Sequence, residues 1–197
     1  NVGKSTLVKA AAVSSQGGGS VMDLDPGRPI DGAEGTIKFK GRRIFYGGAA
    51  VKDDPRRWLE GVEKLKGLVE GDEKVIVNMP GWVKGMGLEA TKQCLKVLQA
   101  DIWCVGQVDV EGLSLDVPKR AREKAQKRHR RREDGRIFRV KVERVKWHNE
   151  PEEGMRAGLE DADGWCVGCG VLEKLAHGYA YIRVEGDTSE VKRATAV

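Results

Sequence analysis

Apolar and polar positions follow two different patterns along the first 110 residues. Runs such as VMDLD (21–25) and KVIVN (74–78) are short, apolar and followed by turn-forming residues, which is typical of buried strands. Segments with apolar residues at helical spacing lie between them. The pattern predicts helices at 5–13, 54–72 and 87–100, and strands at 21–25, 74–78 and 101–110. Residues 36–48 have strand-like alternation around a turn at Gly41. Because helices alternate with apolar strands, we expect an α/β fold with a parallel sheet that helices cover on both faces.

The clearest helix signal is at residues 54–72. Trp58 and Leu65 belong to a series of apolar residues at helical spacing. Asp54 can cap the helix, and Pro55 suits its first turn. We therefore expect this helix to begin at that pair and to bury its apolar face against the sheet.

The chain opens with NVGKST, which matches the last positions of the phosphate-binding pattern G-x-x-x-x-G-K-[ST]. In this pattern Gly3 lets the backbone approach a phosphate, Lys4 reaches the β- and γ-phosphates, and Ser5 offers a hydroxyl to Mg²⁺. The predicted nucleotide-binding residues are Asn1, Val2, Gly3, Lys4, Ser5 and Thr6. These residues predict a P-loop NTPase-type core. The first glycine of the pattern and the strand before it are expected upstream, so we expect an N-terminally truncated chain.

The sequence DLDPGRP (23–29) places two carboxylates at the end of a predicted strand. A carboxylate that faces a phosphate loop can hold Mg²⁺ or accept the proton of an attacking hydroxyl. Asp25 directly precedes the turn and is the stronger candidate, whereas Asp23 is predicted to be structural. The alternative is an ordinary Asp-Pro-Gly turn.

The sequence VIVNMPGWVKGMG (75–87) predicts a second group of residues at the same edge. Asn78 ends a predicted strand, and Pro80 with Gly81 turns the chain where α/β sheets bind ligands. The turn projects Trp82, and a tryptophan can stack on a nucleobase with about 1–3 kcal/mol. The alternative is a tryptophan that belongs to the core.

Charge is concentrated in one stretch of the 197 residues. The formal net charge is +5, but residues 119–132 carry nine Lys or Arg against one Glu, a local +8 that leaves −3 for the remainder. Such a stretch can neutralise nucleic-acid phosphates, and it can equally form a solvated helix face or a localisation signal. The sequence has no apolar run long enough to cross a membrane, so no membrane partner is predicted.

The character of the sequence changes after residue 110. A basic stretch is followed by RIFRVKVERVKW, which has a strand pattern, and then by an acidic, Gly-rich segment and further strand-like sequence. We predict a P-loop core at 1–110, a basic lid-like segment at 111–136 and a small, mostly β appendage at 137–197.

The phosphate loop, DLDPGRP and the segment NMPGWVKGMG together resemble the polynucleotide 5′-hydroxyl kinases. These include the RNA kinase associated with pre-mRNA cleavage, its relative in pre-rRNA spacer processing, and archaeal counterparts. The resemblance covers residues 1–110 and is looser beyond them, where the Arg-rich stretch corresponds to the family's lid. The Asp-Pro-Gly turn is closer to the pre-rRNA branch.

The resemblance implies an ATP- and Mg²⁺-dependent kinase that phosphorylates the 5′-hydroxyl end of RNA or DNA during RNA processing, including rRNA processing, within an RNA-processing complex. Lys4, Ser5 and Thr6 would hold the triphosphate and metal, and Asp25 would activate the 5′-hydroxyl. The implied catalytic residues are Lys4, Asp25, Arg131, Arg132 and Arg136. The implied substrate-binding residues are Arg28, Asn78, Gly81 and Trp82, and the implied metal ligands are Ser5 and Asp25.

Two departures from the family pattern keep other functions open. Arg28 stands where the family has glutamine, and Met79 replaces a threonine, which removes a hydroxyl. A catalytically impaired, RNA-binding scaffold is therefore an alternative. A GTPase is another, but the N-K-x-D sequence that reads guanine is absent. A kinase for a small metabolite is the third, and the basic stretch argues against it.

The four cysteines show no disulfide-dense pattern, which predicts an intracellular protein. The resemblance implies the nucleus or nucleolus if the source is eukaryotic, and the cytoplasm if it is archaeal. Cys166 and Cys169 form a C-x-x-C pair, but neither a four-ligand zinc site nor a thioredoxin-like βαβ setting surrounds them in the sequence. Neither function is predicted for them.

Overall fold

A computed structural model describes residues 7–11, 19–71, 74–82, 84–99, 136–185 and 188–197. These residues form two sheets with helices on the first. The first sheet contains β1 (Ser20–Asp23), β2 (Thr36–Phe39), β3 (Arg42–Phe45) and β4 (Val75–Asn78). Its helices are α1, described over residues 7–11, α2 (Pro55–Lys66) and α3 (Met86–Leu98), with a 3₁₀ turn at Val51–Asp53. The predicted strand at 101–110 lies outside the described residues.

The first sheet has the strand order β3-β2-β1-β4. Strands β1 and β4 are parallel, as predicted, with Asp23 opposite Asn78. Strands β2 and β3 instead form an antiparallel hairpin, and β2 is antiparallel to β1. The reason is local, since the hairpin turns at Lys40 and Gly41, both with positive φ, and so short a turn joins only antiparallel strands. The α/β class is therefore confirmed, with a mixed sheet in the described part of the chain.

Helix α2 begins where the sequence predicts. The Asp54 side chain accepts a hydrogen bond from the Arg57 amide at 3.0 Å, and Pro55 occupies the first turn. Trp58 and Leu65 are at most 1% exposed. Gly61 faces β2 so closely that an added Cβ would lie 2.8 Å from the Ile37 Cδ1 atom. The helix therefore packs directly on the sheet, and each large buried side chain stabilises the fold by about 1.5–3 kcal/mol.

The second sheet confirms the small β-rich C-terminal part. Its strand order is β5-β9-β8-β7-β10-β6, and all neighbours are antiparallel except β10 and β6. Leu159, Leu172 and Ile182 are among its fully buried side chains. The strands are β5 (Arg136–Lys141), β6 (Val145–Trp147), β7 (Arg156–Glu160), β8 (Cys166–Ala176), β9 (Tyr179–Glu185) and β10 (Arg193–Ala196), with a 3₁₀ turn at Val142–Arg144.

The two sheets contact each other through β3 and α2. Gly158 of β7 lies against the Phe45 side chain, and an added Cβ there would overlap the phenyl ring. Lys64 of α2 donates hydrogen bonds to the backbone carbonyls of Asp163 and Gly164, and its Nζ lies 4.0 Å from the centre of the Trp165 ring. The second sheet is therefore docked on the first. Among the described residues, no helix is long and apolar enough to cross a membrane.

Candidate active site

Asp23 organises the carboxyl edge of β1. Its side chain is 1% exposed and accepts hydrogen bonds from the amides of Ile30 and Asp25 and from the Asn78 side-chain nitrogen, the last at 2.7 Å. A buried carboxylate is tolerated because these donors replace its lost water. Asp23 therefore ties the 24–30 segment to the ends of both parallel strands. This geometry agrees with the structural role predicted for it.

Asp25 lies one residue beyond Leu24 in a tight turn. Its side chain accepts a hydrogen bond from the Gly27 amide at 3.2 Å, and its carbonyl accepts one from the Arg28 amide at 3.3 Å. Gly27 packs against the backbone of Ala49, where an added Cβ would clash with the carbonyl oxygen. Asp25 is half-buried and Arg28 is exposed. The turn thus presents a carboxylate and a guanidinium from one short loop.

Hydrogen bonds with β4 and α2 fix the residue directly before this turn. The Leu24 amide donates to the Asn78 carbonyl at 2.9 Å, which extends the pairing of β1 with β4. The Trp58 indole nitrogen of α2 donates to the Leu24 carbonyl, also at 2.9 Å. These hydrogen bonds to Leu24 restrict the backbone of the segment that positions Asp25.

Asn78 is a buried residue at the end of β4. Its side chain is 1% exposed, and its nitrogen is used by Asp23. Its Oδ1 atom is buried and has no hydrogen-bond partner within the described part of the chain. A buried acceptor without a partner costs about 1–3 kcal/mol, so a donor from a ligand, a water molecule or the undescribed phosphate loop would be stabilising there. Its predicted substrate contact stays a prediction.

The segment after β4 carries Gly81, which is exposed, and Trp82, which is half-buried. Trp82 packs on the first core and against Gly87 at the start of α3, where an added Cβ would overlap the indole. Met79 points to the core, with its sulfur 3.9 Å from that of Cys94. The tryptophan therefore has a packing role as well as an accessible part.

The structure thus brings some predicted residues together at one edge and not others. Asp25, Arg28 and Asn78 lie on or directly after the paired ends of β1 and β4, and Gly81 and Trp82 follow within a few residues. Arg136 lies elsewhere, as the exposed first residue of β5, opposite Val184 in the second sheet. The remaining predicted residues lie outside the described part of the chain: Asn1, Val2, Gly3, Lys4, Ser5, Thr6, Arg131 and Arg132.

Sequence reasoning missed a charged cleft of about 600 Å³ between α2 and the second sheet. Arg57, Lys64 and Arg193 line it together with Glu60 and Glu160. None of the predicted site residues that the structure describes is in its lining. The cleft arises from residues far apart in sequence, so no linear signal marks it.

Taken together, the described residues form an α/β protein in which β1 and β4 are parallel and Asp25 and Asn78 lie at their paired ends. A family model described as "mRNA cleavage and polyadenylation factor CLP1 P-loop" matches residues 1–146. The chain therefore belongs to the CLP1 P-loop family.

Two solved structures have a similar fold. One is a complex of wild-type Clp1p with a segment of Pcf11p, at 10% identity and a TM-score of 0.58, covering 100% of this chain and 71% of that one. The other concerns an extended interface between Pcf11p and Clp1p and the structural basis for ATP loss in a point mutant, at 10% identity and a TM-score of 0.58, with coverage of 98% and 69%. At this identity the likeness shows the fold alone. No curated protein matches the chain.

Proposed function

We propose that this protein is an ATP-dependent polynucleotide 5′-hydroxyl kinase that acts in RNA processing, with the 5′-hydroxyl end of RNA or DNA as the acceptor. The observation that carries the proposal is the position of Asp25. It follows a strand end that Trp58 and Asn78 hold through hydrogen bonds. Family membership supports a P-loop that faces this edge. Phosphoryl transfer depends mainly on such positioning and on electrostatic stabilisation.

Each group has a role that its chemistry allows. Lys4, Ser5 and Thr6 would hold the triphosphate. Asp25 would orient the 5′-hydroxyl and accept its proton as the oxygen attacks the γ-phosphate. Arg131 and Arg132 of the basic segment would neutralise charge on the transferred group. Arg136 begins β5 in the second sheet, away from the paired ends of β1 and β4, and is not assigned this role. Gly81, the accessible part of Trp82 and Arg28 would hold the terminal nucleotide.

The two residues that we propose as Mg²⁺ ligands have suitable donor groups. A carboxylate from Asp25 and a hydroxyl from Ser5 are hard oxygen ligands, and Mg²⁺ retains water for its other positions. The Oδ1 of Asn78, which has no hydrogen-bond partner among the described residues, is an acceptor that such a water could use. When bound, the metal would neutralise phosphate charge and hold the triphosphate in line with the hydroxyl.

A catalytically impaired RNA-binding scaffold is the second candidate. Met79 turns its thioether into the core beside Cys94, where the family pattern has a threonine hydroxyl, and Arg28 replaces a glutamine.

Since the two similar structures concern Clp1p with Pcf11p, we infer that this chain also joins a protein partner of RNA processing. A GTPase is a further alternative, although the N-K-x-D sequence that reads guanine is absent. A nucleus or nucleolus is the compartment we propose for a eukaryotic source.

The test is transfer of labelled γ-phosphate from ATP to an oligoribonucleotide with a 5′-hydroxyl, by protein that carries the complete phosphate loop. Asp25→Asn should reduce transfer by about 10²–10⁴-fold, the usual contribution of a general base. Asp163→Asn, at an exposed acidic residue in the turn between β7 and β8, is the matched control and should have no effect. Retained transfer in Asp25→Asn would refute the kinase mechanism, and RNA binding without any transfer would favour the scaffold.

A further inference from the structure

Cys166 and Cys169 lie on the same face of β8 because of an irregularity in that strand. Residues three apart in a regular strand project to opposite faces. Here the register with β7 shifts, so that Cys166 lies opposite Glu160, Gly168 opposite Leu159, and Cys169 opposite Gly158. One extra residue in β8 restores both cysteines to one face. Their sulfur atoms are 3.6 Å apart and within hydrogen-bond distance.

The two thiols have different surroundings. Cys166 is 6% exposed and its sulfur also contacts the Gly168 carbonyl, whereas Cys169 is partly exposed. The hydrogen bond from Cys166 lowers the pKa of the Cys169 thiol, burial opposes this, and the positive charges of Arg43 and Arg156 lower it further. The hydrogen bond with Cys169, followed by burial, raises the pKa of Cys166. Cys169 is therefore the better nucleophile of the two.

Arg156 gives the pair an additional electrostatic feature. Its Nη2 atom is paired with Glu34 at 3.0 Å, while its Nη1 atom is buried without a hydrogen-bond partner among the residues that the structure describes. A positive charge that is only partly satisfied favours a thiolate nearby. The described residues hold no group of three or more His, Cys, Asp or Glu placed to bind a metal ion. Within this part of the chain, the pair is therefore a site of two thiols.

We propose that Cys166 and Cys169 form a redox-active dithiol that hydrogen peroxide oxidises reversibly to a disulfide. The Cys169 thiolate attacks the peroxide and becomes a sulfenic acid, while the leaving hydroxide takes a proton and departs as water. The Cys166 thiol then gives up its proton and attacks the sulfenic sulfur, which releases a second water. Two thiols and one hydrogen peroxide thus yield one disulfide and two waters, and a dithiol reductant reverses the change.

The site lies where the two sheets meet, so its redox state bears on their contact. Gly158, opposite Cys169, packs against Phe45 of β3, and Arg43 of the same strand is one of the charges near the thiol. Disulfide formation brings the sulfurs to about 2.05 Å and removes the thiolate charge that Arg43 and Arg156 attract. We expect oxidation to change the strength of the contact between β3 and the second sheet.

The experiment treats the native chain with stoichiometric hydrogen peroxide, alkylates free thiols and measures peptide masses. The peptide that contains residues 166–169 should lose about 2 Da, the two thiol hydrogens, and dithiothreitol should restore it. Cys166→Ser should instead accumulate a dimedone-reactive sulfenic acid on Cys169, and Cys169→Ser should leave Cys166 reduced. Cys94→Ser is the control, since Cys94 is fully buried and burial raises its pKa to about 12.

Several results would overturn the proposal. One is direct oxidation of Cys169 to a sulfinic acid with no intramolecular bond. Others are a cross-link of either cysteine to Cys94 or Cys104, and a disulfide between two molecules. Because the mass change is measured first on the unaltered chain, a variant that fails to fold leaves that result valid. The outcome is also independent of kinase activity.

Discussion

The edge of the first sheet and the interior of the second differ in how they handle polar groups. At the edge, Asp23 and Asn78 are each 1% exposed and hydrogen-bonded to one another across the parallel strands. In the second sheet most buried side chains are apolar, such as Leu159 and Ile182, while the buried Thr195 hydroxyl donates to Glu160 at 2.8 Å. Burying polar groups is costly unless they are hydrogen-bonded to one another. The buried Asp23–Asn78 pair therefore marks this edge of the first sheet as a candidate functional site.

The largest predicted effect concerns Trp58, which packs in the first core and donates a hydrogen bond to the Leu24 carbonyl. Trp58→Ala should reduce the free energy of unfolding by about 3–5 kcal/mol, since it removes a large buried side chain. It also leaves the Leu24 carbonyl without its indole donor. Urea denaturation measures the loss. Trp147→Ala, at a half-buried residue in the second sheet, should cost clearly less, and an equal cost would show that α2 is not the main support of the edge.

The next effect tests the contact between the two regions. Gly158→Ala should reduce the free energy of unfolding by about 1–3 kcal/mol, because the methyl group would overlap the Phe45 ring. Thermal unfolding measures this. Gly168→Ala is the matched control on the neighbouring strand, since its nearest contact would be an ordinary 3.6 Å. Equal melting temperatures for the two variants would contradict the docking of β7 on β3.

A comparable effect is expected at the edge itself. Asp23→Asn places an amide group where Ile30, Asp25 and Asn78 all donate, so at least one of its neighbours loses its acceptor. The expected loss is about 1–3 kcal/mol in the free energy of unfolding. Asp31→Asn is the control, because that carboxylate is exposed and paired with Lys38 at the surface. A neutral result at Asp23 would mean that the turn does not depend on its carboxylate.

The smallest effect is a dependence on pH. Burial raises the pKa of Tyr46 from 10.0 to about 12, and its oxygen accepts a hydrogen bond from the Asp54 amide at 2.8 Å. The folded state therefore favours the neutral phenol. This contribution to stability is complete below pH 10 and is lost as the pH rises towards 12.

Tyr46→Phe should flatten that part of the stability curve and cost about 0.5–1.5 kcal/mol at neutral pH, where only the hydrogen bonds are lost. Urea titrations at several pH values measure the slope. Tyr179→Phe, at a residue in the second sheet, serves as the comparison. Identical slopes for Tyr46→Phe and the unaltered chain would contradict the assignment.

Local patterns predicted much of the first region. The cap at Asp54, the proline after it and the helical spacing of Trp58 and Leu65 are all short-range features, and α2 begins where they indicate. It ends at Lys66 rather than continuing to residue 72, and Gly67 occupies its C-cap position. The Gly41 turn predicted within residues 36–48 is also local, and it forms the antiparallel β2–β3 hairpin that makes the first sheet mixed.

Sequence alone determined the α/β class, the family and the order of the candidate residues, because these depend on spacing along the chain. Only the tertiary structure decided which of them meet. The hydrogen bond between Asp23 and Asn78 joins residues 55 positions apart, and the contact of Cys166 with Cys169 depends on one irregular residue in β8. Both follow from strand pairing, and pairing is settled by the packing of the whole sheet rather than by any short segment.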